Sequence, residues 1–253
     1  MTPLSVVIIT YNEEVNIGRC LESVKDIADE IVVVDSFSTD RTKAICESHQ
    51  VRVIDHAFEG HVEQKNYALA QAIHSHVLSI DADECLSPEL KAAVIAVKEH
   101  WQKDGYHMNR LTSFCGKWIR HSGWYPDRKL RLFDKTKGSF AGINPHDRFE
   151  MQPGATSGFL KGDLLHYTAE TEQAYRKKLQ RYAEIAAAEL YRKKKSAGWL
   201  IVYIKTVANF LKHYLLQLGF MDGAIGWKIC KMSAGYTYNK YKLLRQLRKV
   251  QSS

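Results

Sequence analysis

Two aspartates, Asp81 and Asp83, directly follow the apolar run 76–80. A β-strand projects successive side chains to opposite faces, so residues two apart at its end place two carboxylates on the same side, roughly 7 Å apart at the Cα atoms. Carboxylate oxygens suit a divalent cation that keeps several waters and takes further ligands from a substrate's phosphate oxygens. The pair therefore predicts a metal site that a nucleotide completes, although Asp-x-Asp also occurs in ordinary solvated turns.

The elements that position this pair follow from the apolar pattern. Segments with helical spacing alternate with short apolar runs, and this alternation predicts an α/β layer fold with a mostly parallel sheet. The runs lie at 4–9, 30–34, 51–54 and 76–80, and the helical segments at 16–24, 41–49 and 62–74. Ser and Thr side chains within 36–40 are expected to cap the helix at 41–49.

Acidic and aromatic residues gather where these strands end. In a parallel sheet the carboxyl ends of the strands share one edge, and ligands collect there. The residues are Tyr11, Glu13, Asp35, Asp40, Asp81 and Asp83. Neither a Gly-x-Gly-x-x-Gly turn nor a Walker lysine loop occurs, which disfavours a dinucleotide-binding fold and a P-loop enzyme.

Composition places the chain among ordinary globular proteins. It has 253 residues, of which 45% are hydrophobic and 25% charged. Its five cysteines are scattered and include no Cys-x-x-Cys pair, which favours reduced thiols in a cytosolic setting over disulfides or structural zinc. The apolar run at 4–9 is cut off by polar residues, so no signal peptide is expected.

Charge divides the chain into two regions. Residues 170–253 contain 17 Lys and Arg against 5 Asp and Glu, a balance of +12, whereas residues 1–169 have a balance of −4. Two regions with different partners are implied. No nucleic-acid recognition motif accompanies the basic region, so no nucleic-acid partner is expected. Anionic lipid and a phosphorylated acceptor both remain candidates.

The basic region is predicted to be helical. Residues 171–195 form one predicted helix and 199–220 a second, apolar one, in which polar residues recur at near-helical spacing. Those residues are Lys205, Asn209, Lys212, His213 and Gln217. Such a stripe favours an amphipathic helix lying on an anionic membrane surface over a spanning helix. Packing of this helix on the rest of the protein is the alternative.

Four segments in order resemble the signature segments of glycosyltransferase family 2. They are Val7–Glu14, Val33–Thr42, Gln64–Ala68 and Asp81–Glu84. The resemblance implies a GT-A fold, Rossmann-like, with a mostly parallel sheet flanked by helices. It also implies that Asp83 binds Mn²⁺ or Mg²⁺ and that Asp81 lies against the ribose and the waters of that ion. Tyr11, Glu13 and Asp35 would then hold the uracil and ribose of a UDP-sugar, with Lys65 near the nucleotide.

The second half resembles the acceptor half of bacterial lipopolysaccharide core β-1,4-glucosyltransferases within that family. The matching segments are Gly123–Asp127, Leu130–Phe133, Asn144–Asp147 and Leu165–Tyr167, and a fifth segment, Phe220–Gly226, is similar to one in the C-terminal region of those enzymes. The resemblance implies a catalytic domain at 1–169, made of a nucleotide-sugar half (1–101) and an acceptor half (102–169). A basic helical region follows at 170–253. Where the family commonly has His-Glu, this chain has His146-Asp147, which shortens the carboxylate's reach.

Several residues of this half are candidates for chemistry. Asp147 is the first choice for the general base, followed by Asp127 and Glu150. Arg131 is expected to bind diphosphate or an anionic acceptor, or to form a structural ion pair. His166 would complete the metal shell or orient the diphosphate, unless it is a core histidine. Trp118, Trp124 and Tyr125 are aromatic faces for sugar rings or parts of the core.

These features together predict an inverting, metal-dependent glycosyltransferase. It would move glucose from UDP-glucose to a lipid-anchored lipopolysaccharide core acceptor, with the protein cytoplasmic and peripheral on the inner face of the bacterial inner membrane. One alternative is sugar transfer to a polyprenyl phosphate. Another is a non-catalytic protein that binds sugar nucleotides at the membrane surface.

Overall fold

Two compact units make up the chain in the structure, a computed structural model that describes residues 1–143, 146–169 and 171–250. Unit 1 contains Met1–Leu111 and Asp127–Tyr167, and unit 2 contains Thr112–Pro126 and Thr168–Ser253. This division differs from the predicted one in two places: 112–126 group with the C-terminal helices instead of the acceptor half, and unit 1 ends at Tyr167 instead of at 169. Asn144 and Pro145 of the acceptor-half motif lie outside the described residues.

The first half of unit 1 has the predicted alternation of strands and helices. Its strands are β1 (Leu4–Thr10), β2 (Glu30–Asp35), β3 (Arg52–Asp55) and β4 (His76–Asp81), and its helices are α1 (Ile17–Val24), α2 (Thr42–Ser48) and α3 (His61–Gln71). The strands pair in the order β3-β2-β1-β4, and every pair in this set is parallel. The predicted elements are thus confirmed, with ends shifted by a few residues.

Strand β1 shows why the parallel strands read as continuous apolar runs. Its side chains alternate between two buried layers: Val6 and Ile8 pack with Leu21 of α1, whereas Val7 packs with Leu69 of α3. Because helices cover both faces, apolar residues are needed at every position of the strand. The carboxyl ends of β1, β2 and β4 are therefore fixed at one edge of a rigid sheet.

The second half of unit 1 makes the sheet mixed. Its elements are β5 (Glu84–Leu86), α4 (Pro88–Glu99), β6 (Gly105–Phe114), β7 (Lys117–Trp118), β8 (Asp127–Asp134), β9 (Gly138–Ile143), β10 (His146–Met151) and β11 (Ser157–Ala169). Of these, β7 and the ends of β6 and β11 belong to unit 2. The main sheet runs β3-β2-β1-β4-β8-β6-β11-β5, with β8 antiparallel to β4 and β6, and β9 and β10 form a separate antiparallel pair. The mostly parallel arrangement thus holds only for the first four strands.

The predicted cap of α2 is wrong in its residue type. The Asp40 carboxylate, not a hydroxyl, accepts the hydrogen bond from Thr42 N at 2.9 Å. Two hydroxyl oxygens of the preceding loop accept from other donors: Ser38 Oγ accepts from Asn12 N at 2.8 Å, and Ser36 Oγ accepts from Gln64 Nε2 at 3.1 Å. A carboxylate at a helix N-terminus also complements the helix dipole.

The described residues of unit 2 include three α-helices. They are α5 (Glu172–Arg192), α6 (Trp199–Leu211) and α7 (Gly223–Val250), and α7 packs against both others. Thr171 caps α5 by accepting from Ala174 N at 3.2 Å. Among the described residues, none of the helices combines the length and apolar character needed to cross a bilayer.

The predicted helix at 199–220 ends early, at Leu211. A π-helical turn (Lys212–Leu216) and a 3₁₀ turn (Gly219–Asp222) follow, separated by Leu218 in the left-handed region at φ 55°. Glycine makes this reversal possible, because a Cβ on Gly226 of α7 would meet the Gly219 carbonyl oxygen at 1.9 Å. Apolar periodicity continues through the break, which is why the sequence reads as one helix.

Candidate active site

Two loops at the strand edge of unit 1 are held together by hydrogen bonds. Asn12 N donates to Ser38 Oγ at 2.8 Å, and Thr39 N donates to Asn12 Oδ1 at 2.8 Å. The Asp35 carboxylate, fully buried at the end of β2, accepts from Ser38 N at 2.7 Å. The loops after β1 and β2 thereby form one preorganised edge. Tyr11, 58% exposed on this edge, presents an open aromatic face.

The same edge continues to Glu13. Glu13 N donates to Thr42 Oγ1 at 2.8 Å, and the Glu13 carboxylate accepts from Asn16 Nδ2 at 2.7 Å. Burial raises the pKa of Glu13, and the negative charges of Asp83 and Asp40 add to that rise, against the opposing effect of the Asn16 hydrogen bond. A cation bound nearby would therefore offset the negative charges around the Glu13 carboxylate.

The two predicted metal ligands lie side by side. His166 Nε2 is 3.2 Å from Asp83 Oδ2, and Tyr167 N donates to the Asp83 carbonyl oxygen at 2.9 Å. Strand β11 thus carries His166 to the turn between β4 and β5. Asp83 lies in that turn and not on the strand, so the predicted placement of both carboxylates on one strand face is wrong. Asp81 and Asp83 have different partners instead.

A carboxylate oxygen is a suitable donor for Mn²⁺ or Mg²⁺, whereas an imidazole is a donor that transition-metal ions accept more readily than Mg²⁺ does. Among the described residues, no group of three or more His, Cys, Asp and Glu side chains is arranged to hold a metal ion. Asp83 and His166, 3.2 Å apart, could supply two ligands to such an ion.

Asp81 faces two cations instead. Its carboxylate is 3.0 Å from Lys65 Nζ and 2.9 Å from Arg131 Nη2. Lys65 is only 2% exposed, and its ammonium group also lies 2.8 Å from Asp147 Oδ2. Strand β10 thus delivers the predicted base to a buried lysine that connects it to the end of β4.

The ion pairs continue beyond Arg131. Arg131 Nη2 is 3.0 Å from Glu84 Oε1, and Glu84 in turn is 3.3 Å from Arg110 Nη1. Arg110 Nη2 is 2.8 Å from Asp127 Oδ2. We call this set the ion-pair chain. It runs Asp147, Lys65, Asp81, Arg131, Glu84, Arg110 and Asp127.

Carboxylates alternate with Lys and Arg side chains along the ion-pair chain. Because each charge has partners of opposite sign, these charges are tolerated in a buried site. Burial acts to raise the pKa of Asp81, but Lys65 and Arg131 outweigh it and hold that pKa well below its usual range. Burial acts to lower the pKa of Arg131, whereas Glu84 and Asp81 raise it above its usual value. Breaking one link would leave a buried charge unpaired, which is costly.

The three base candidates are separated by the structure. Asp147 and Asp127 are the two ends of the ion-pair chain, and Asp127 also lies 3.0 Å from Lys129 Nζ. Glu150, three residues beyond Asp147 on β10, is exposed and lies 2.6 Å from Arg148 Nη2. Glu150 is therefore not among the residues that the ion-pair chain brings together.

The aromatic candidates, all in unit 2, differ in surroundings. Trp124 packs in the core of unit 2, with its ring centroid 6.1 Å from that of Phe114 and 5.6 Å from that of Tyr175. Trp118 is exposed on β7. Tyr125 lies beneath the guanidinium of Arg120, 5.5 Å from its ring centroid. Trp124 is thus a core residue, as one of the two sequence interpretations had it.

Glu84 and Arg110 are functional candidates that sequence reasoning missed. Glu84 is completely buried and accepts from Asp81 N at 3.0 Å, so it fixes the backbone at the end of β4. Its position directly after the Asp-x-Asp pair was a usable signal. Arg110 was detectable because it alone among the residues of β6 (Gly105–Phe114) is a Lys, Arg, Asp or Glu.

Comparison with known proteins gives a consistent family. The model of "Glycosyl transferase family 2" matches residues 5–180. An uncharacterized glycosyltransferase of Rickettsia prowazekii is 30% identical over 237 residues, covering 90% of this chain and 81% of the relative. The lipopolysaccharide core biosynthesis glycosyltransferase LpsC of Rhizobium meliloti is 27% identical over 260 residues, covering 95% of this chain and 94% of LpsC.

Among solved structures, TarS of S. aureus is similar, with a TM-score of 0.46 and 19% identity, covering 72% of this chain and 39% of TarS. Its TM-score lies below 0.5, so this likeness does not bear on function. The expected α/β fold of the GT-A type with a C-terminal helical region is confirmed by the sheet and helices described above and by the family match. The chain belongs to glycosyl transferase family 2 and is a glycosyltransferase.

Proposed function

We propose that this enzyme is an inverting, metal-dependent glucosyltransferase that uses UDP-glucose and acts on a lipid-anchored lipopolysaccharide core acceptor. The main support is the 3.2 Å distance between Asp83 Oδ2 and His166 Nε2. These side chains lie at the same edge as Glu13, whose pKa is raised in part by the charge of Asp83. Similarity to LpsC over nearly the whole chain supports the acceptor class. The family match supports the reaction type.

The donor end of the site consists of the hydrogen-bonded loops and the Asp83–His166 pair. Tyr11 offers its exposed ring to the uracil, and Glu13 and Asp35 lie where the nucleoside would bind. Asp83 and His166 would hold Mn²⁺ or Mg²⁺, which when bound offsets the negative charge of the UDP diphosphate. The raised pKa of Glu13 fits this proposal, because a cation placed there compensates the surrounding carboxylates.

Asp147 is the proposed base at the acceptor end. The acceptor hydroxyl loses its proton to the Asp147 carboxylate as its oxygen forms a bond to C1 of glucose. The bond between C1 and the diphosphate oxygen breaks with its electron pair, and UDP leaves. Attack opposite the leaving group turns an α-linked donor into a β-linked product.

Lys65, Asp81 and Arg131 are proposed to position the reacting groups. Sequence resemblance had placed Lys65 and Asp81 against the nucleotide, and Arg131 was expected at a diphosphate, at an anionic acceptor or in a structural ion pair. The nearest partners of all three are one another and the acids beside them. Lys65 fixes the Asp147 carboxylate relative to the end of β4, and Arg131 does the same for Glu84. Preorganisation of this kind lowers the reorganisation that the reaction requires.

The acceptor class also implies a place in the cell. A lipid-anchored saccharide is presented at a membrane surface, so we place the enzyme on the inner face of the bacterial inner membrane. Sugar transfer to a polyprenyl phosphate would need the same location. The two acceptors are distinguished by the product: a labelled core saccharide in one case and a small labelled lipid in the other.

Asp147→Asn tests the proposal directly. The amide keeps the shape of the side chain and cannot take the proton, so we expect kcat to fall by about 10²- to 10⁴-fold. The measurement is transfer of labelled glucose from UDP-glucose to purified core acceptor, together with UDP affinity by calorimetry. UDP affinity should stay within about twofold of wild type, because Asp147 belongs to the acceptor end.

Glu150→Gln is the matched control, since it removes a carboxylate from the same strand, outside the ion-pair chain. It should transfer glucose at the wild-type rate. Normal transfer by Asp147→Asn, or loss of transfer in Glu150→Gln alone, would show that the general base is a residue other than Asp147. Absence of transfer to any acceptor by the wild type, with UDP binding intact, would favour a non-catalytic role.

A further inference from the structure

An apolar stripe runs along the exposed side of α6. Four of its side chains recur at helical spacing and are largely exposed: Leu200 (73%), Ile204 (57%), Val207 (56%) and Leu211 (45%). Positions four, seven and eleven residues apart lie on one face of an α-helix. The side chains of this helix that do pack include Val202, which is fully buried. The exposed stripe is therefore the outer face of an amphipathic helix.

The apolar surface continues past the end of α6. Leu216 in the π-helical turn is 81% exposed, and Leu215, Leu218, Phe220 and Met221 are between 43% and 58% exposed. Residues 199–221 include only two charged side chains, Lys205 and Lys212, and no acid. So much contiguous exposed apolar surface marks an interaction site. We call residues 199–221 the apolar face.

Aromatic rings gather at the amino end of the apolar face. The centroid of the Trp199 ring lies 6.0 Å from that of Tyr203 and 6.3 Å from that of Tyr238 on α7. Both Trp199 and Tyr203 are more than 40% exposed. Trp and Tyr are enriched where an apolar phase meets water, because one part of each ring is apolar and another polar.

Cations gather at the same end. The Arg245 guanidinium lies 4.8 Å from the centroid of the Trp199 ring and donates to the Ala197 carbonyl oxygen at 2.7 Å. Arg248 Nε donates to the Lys195 carbonyl oxygen at 2.8 Å, which brings the end of α7 to the exposed basic run 192–195. Within that run, Arg192 and Lys193 pair with Glu189. The basic run and the end of α7 thus form one positive surface beside the aromatic rings.

We propose that the apolar face is a docking surface for an anionic lipid bilayer, with its aromatic and basic end at the headgroups. Apolar side chains on one side of a helix, flanked by aromatic rings and cations, are what an interfacial helix requires. A second copy of this chain fits less well, because the apolar face contains no acidic residue to compensate the basic surface. The proposal deepens the proposed function by naming the lipid contact, but its evidence comes from unit 2 alone.

Co-sedimentation of the full chain with vesicles tests the docking surface. We expect binding to vesicles of phosphatidylglycerol and phosphatidylethanolamine and much weaker binding to phosphatidylcholine. Ile204→Glu should lower the partition coefficient by about tenfold or more, because an aliphatic side chain that would enter the bilayer is replaced by a charged one. Lys194→Gln and Lys195→Gln should each lower it by about fivefold, and only on the anionic vesicles.

Ile73→Glu is the matched control, because Ile73 is equally apolar, 70% exposed and part of unit 1. It should bind vesicles like the wild type. Equal binding by Ile204→Glu and wild type would overturn the proposal. So would a wild-type dimer, seen by sedimentation velocity, that ignores vesicles and dissociates in Ile204→Glu, since the occupant would then be a second copy.

Failure of docking and failure of the proposed function are separable. Ile204→Glu should still bind UDP and should still glucosylate a delipidated core saccharide, which needs no membrane. If vesicle binding follows the predicted pattern while Asp147→Asn transfers normally, the docking surface stands and the catalytic assignment falls. If the opposite pattern is found, the catalytic assignment stands and the apolar face has another partner.

Discussion

Glu13 gives the site a testable pH dependence at the scale of one residue. Because burial and neighbouring acids raise its pKa in the folded protein, the folded state holds the proton more tightly than the unfolded chain. Ionised Glu13 lowers the free energy of unfolding. This loss of stability is absent below the ordinary pKa of 4.5 and develops as pH rises through the folded-state pKa. Glu13→Gln removes this titration and keeps an acceptor for Asn16.

We therefore expect Glu13→Gln to gain stability relative to wild type as pH rises from the ordinary pKa of 4.5 to neutrality, without metal or nucleotide present. The measurement is the free energy of unfolding in urea at several pH values. Glu99→Gln, on the exposed end of α4, reports the effect of removing a carboxylate from the surface. A constant difference between Glu13→Gln and wild type across this range would rule out the perturbed carboxyl group.

The sequence indicated which residues to consider for the candidate site, but it did not indicate their partners. Strand ends and signature segments placed Asp81, Lys65 and Asp147 in one region. The contact between Lys65 and Asp147 joins residues that are 82 positions apart in the sequence. The spacing of residue types along the chain contains no information about such a pair. Arg131 likewise had two open interpretations, and the structure shows it in ion pairs with Asp81 and Glu84.

At the scale of elements, Asp222 ties the 3₁₀ turn before α7 to the segment after β7. Its Oδ1 accepts from Arg120 N at 3.3 Å and lies 2.9 Å from His121 Nδ1. Its Oδ2 accepts from His121 N at 3.1 Å and from Ser122 Oγ at 3.3 Å. One nearly buried carboxylate thus holds three successive residues just before the Gly123–Asp127 motif.

Asp222→Asn should destabilise the protein by about 2 kcal/mol, since an amide turns one of these acceptors into a donor facing other donors. Urea unfolding monitored by fluorescence measures the loss. Glu184→Gln, an exposed acid on α5 of the same unit, is the control and should unfold with the wild type. An Asp222→Asn protein within 0.5 kcal/mol of wild type would show that Asp222 does not hold this segment.

Local pattern was a good guide to the parallel strands and a poor one to the elements around them. The buried runs of β1, β2 and β4 were predictable because helices cover both faces of the sheet. The break after Leu211 was not, because it depends on the close approach of Gly219 and Gly226, which lie on different elements. The grouping of 112–126 with the helices also depends on distant contacts, such as those of Asp222.

At the scale of the whole molecule, charge and chemistry are divided between the two units. The ion-pair chain and the Asp83–His166 pair lie in unit 1, whereas the basic residues and the apolar face lie in unit 2. The +12 balance of residues 170–253 had indicated two regions with different partners. The proposals for the two units can therefore be tested independently.

The central claim is that Asp83, with His166, holds the cation that joins UDP to the enzyme. Calorimetric titration with UDP, with and without Mn²⁺, in wild type and Asp83→Asn tests it most directly. We predict that Mn²⁺ strengthens UDP binding to the wild type by at least about tenfold, as expected when a metal ligand contributes to the site. In Asp83→Asn this gain should disappear, while metal-free UDP binding stays as weak as in the wild type. An undiminished Mn²⁺-linked gain in Asp83→Asn would contradict the account.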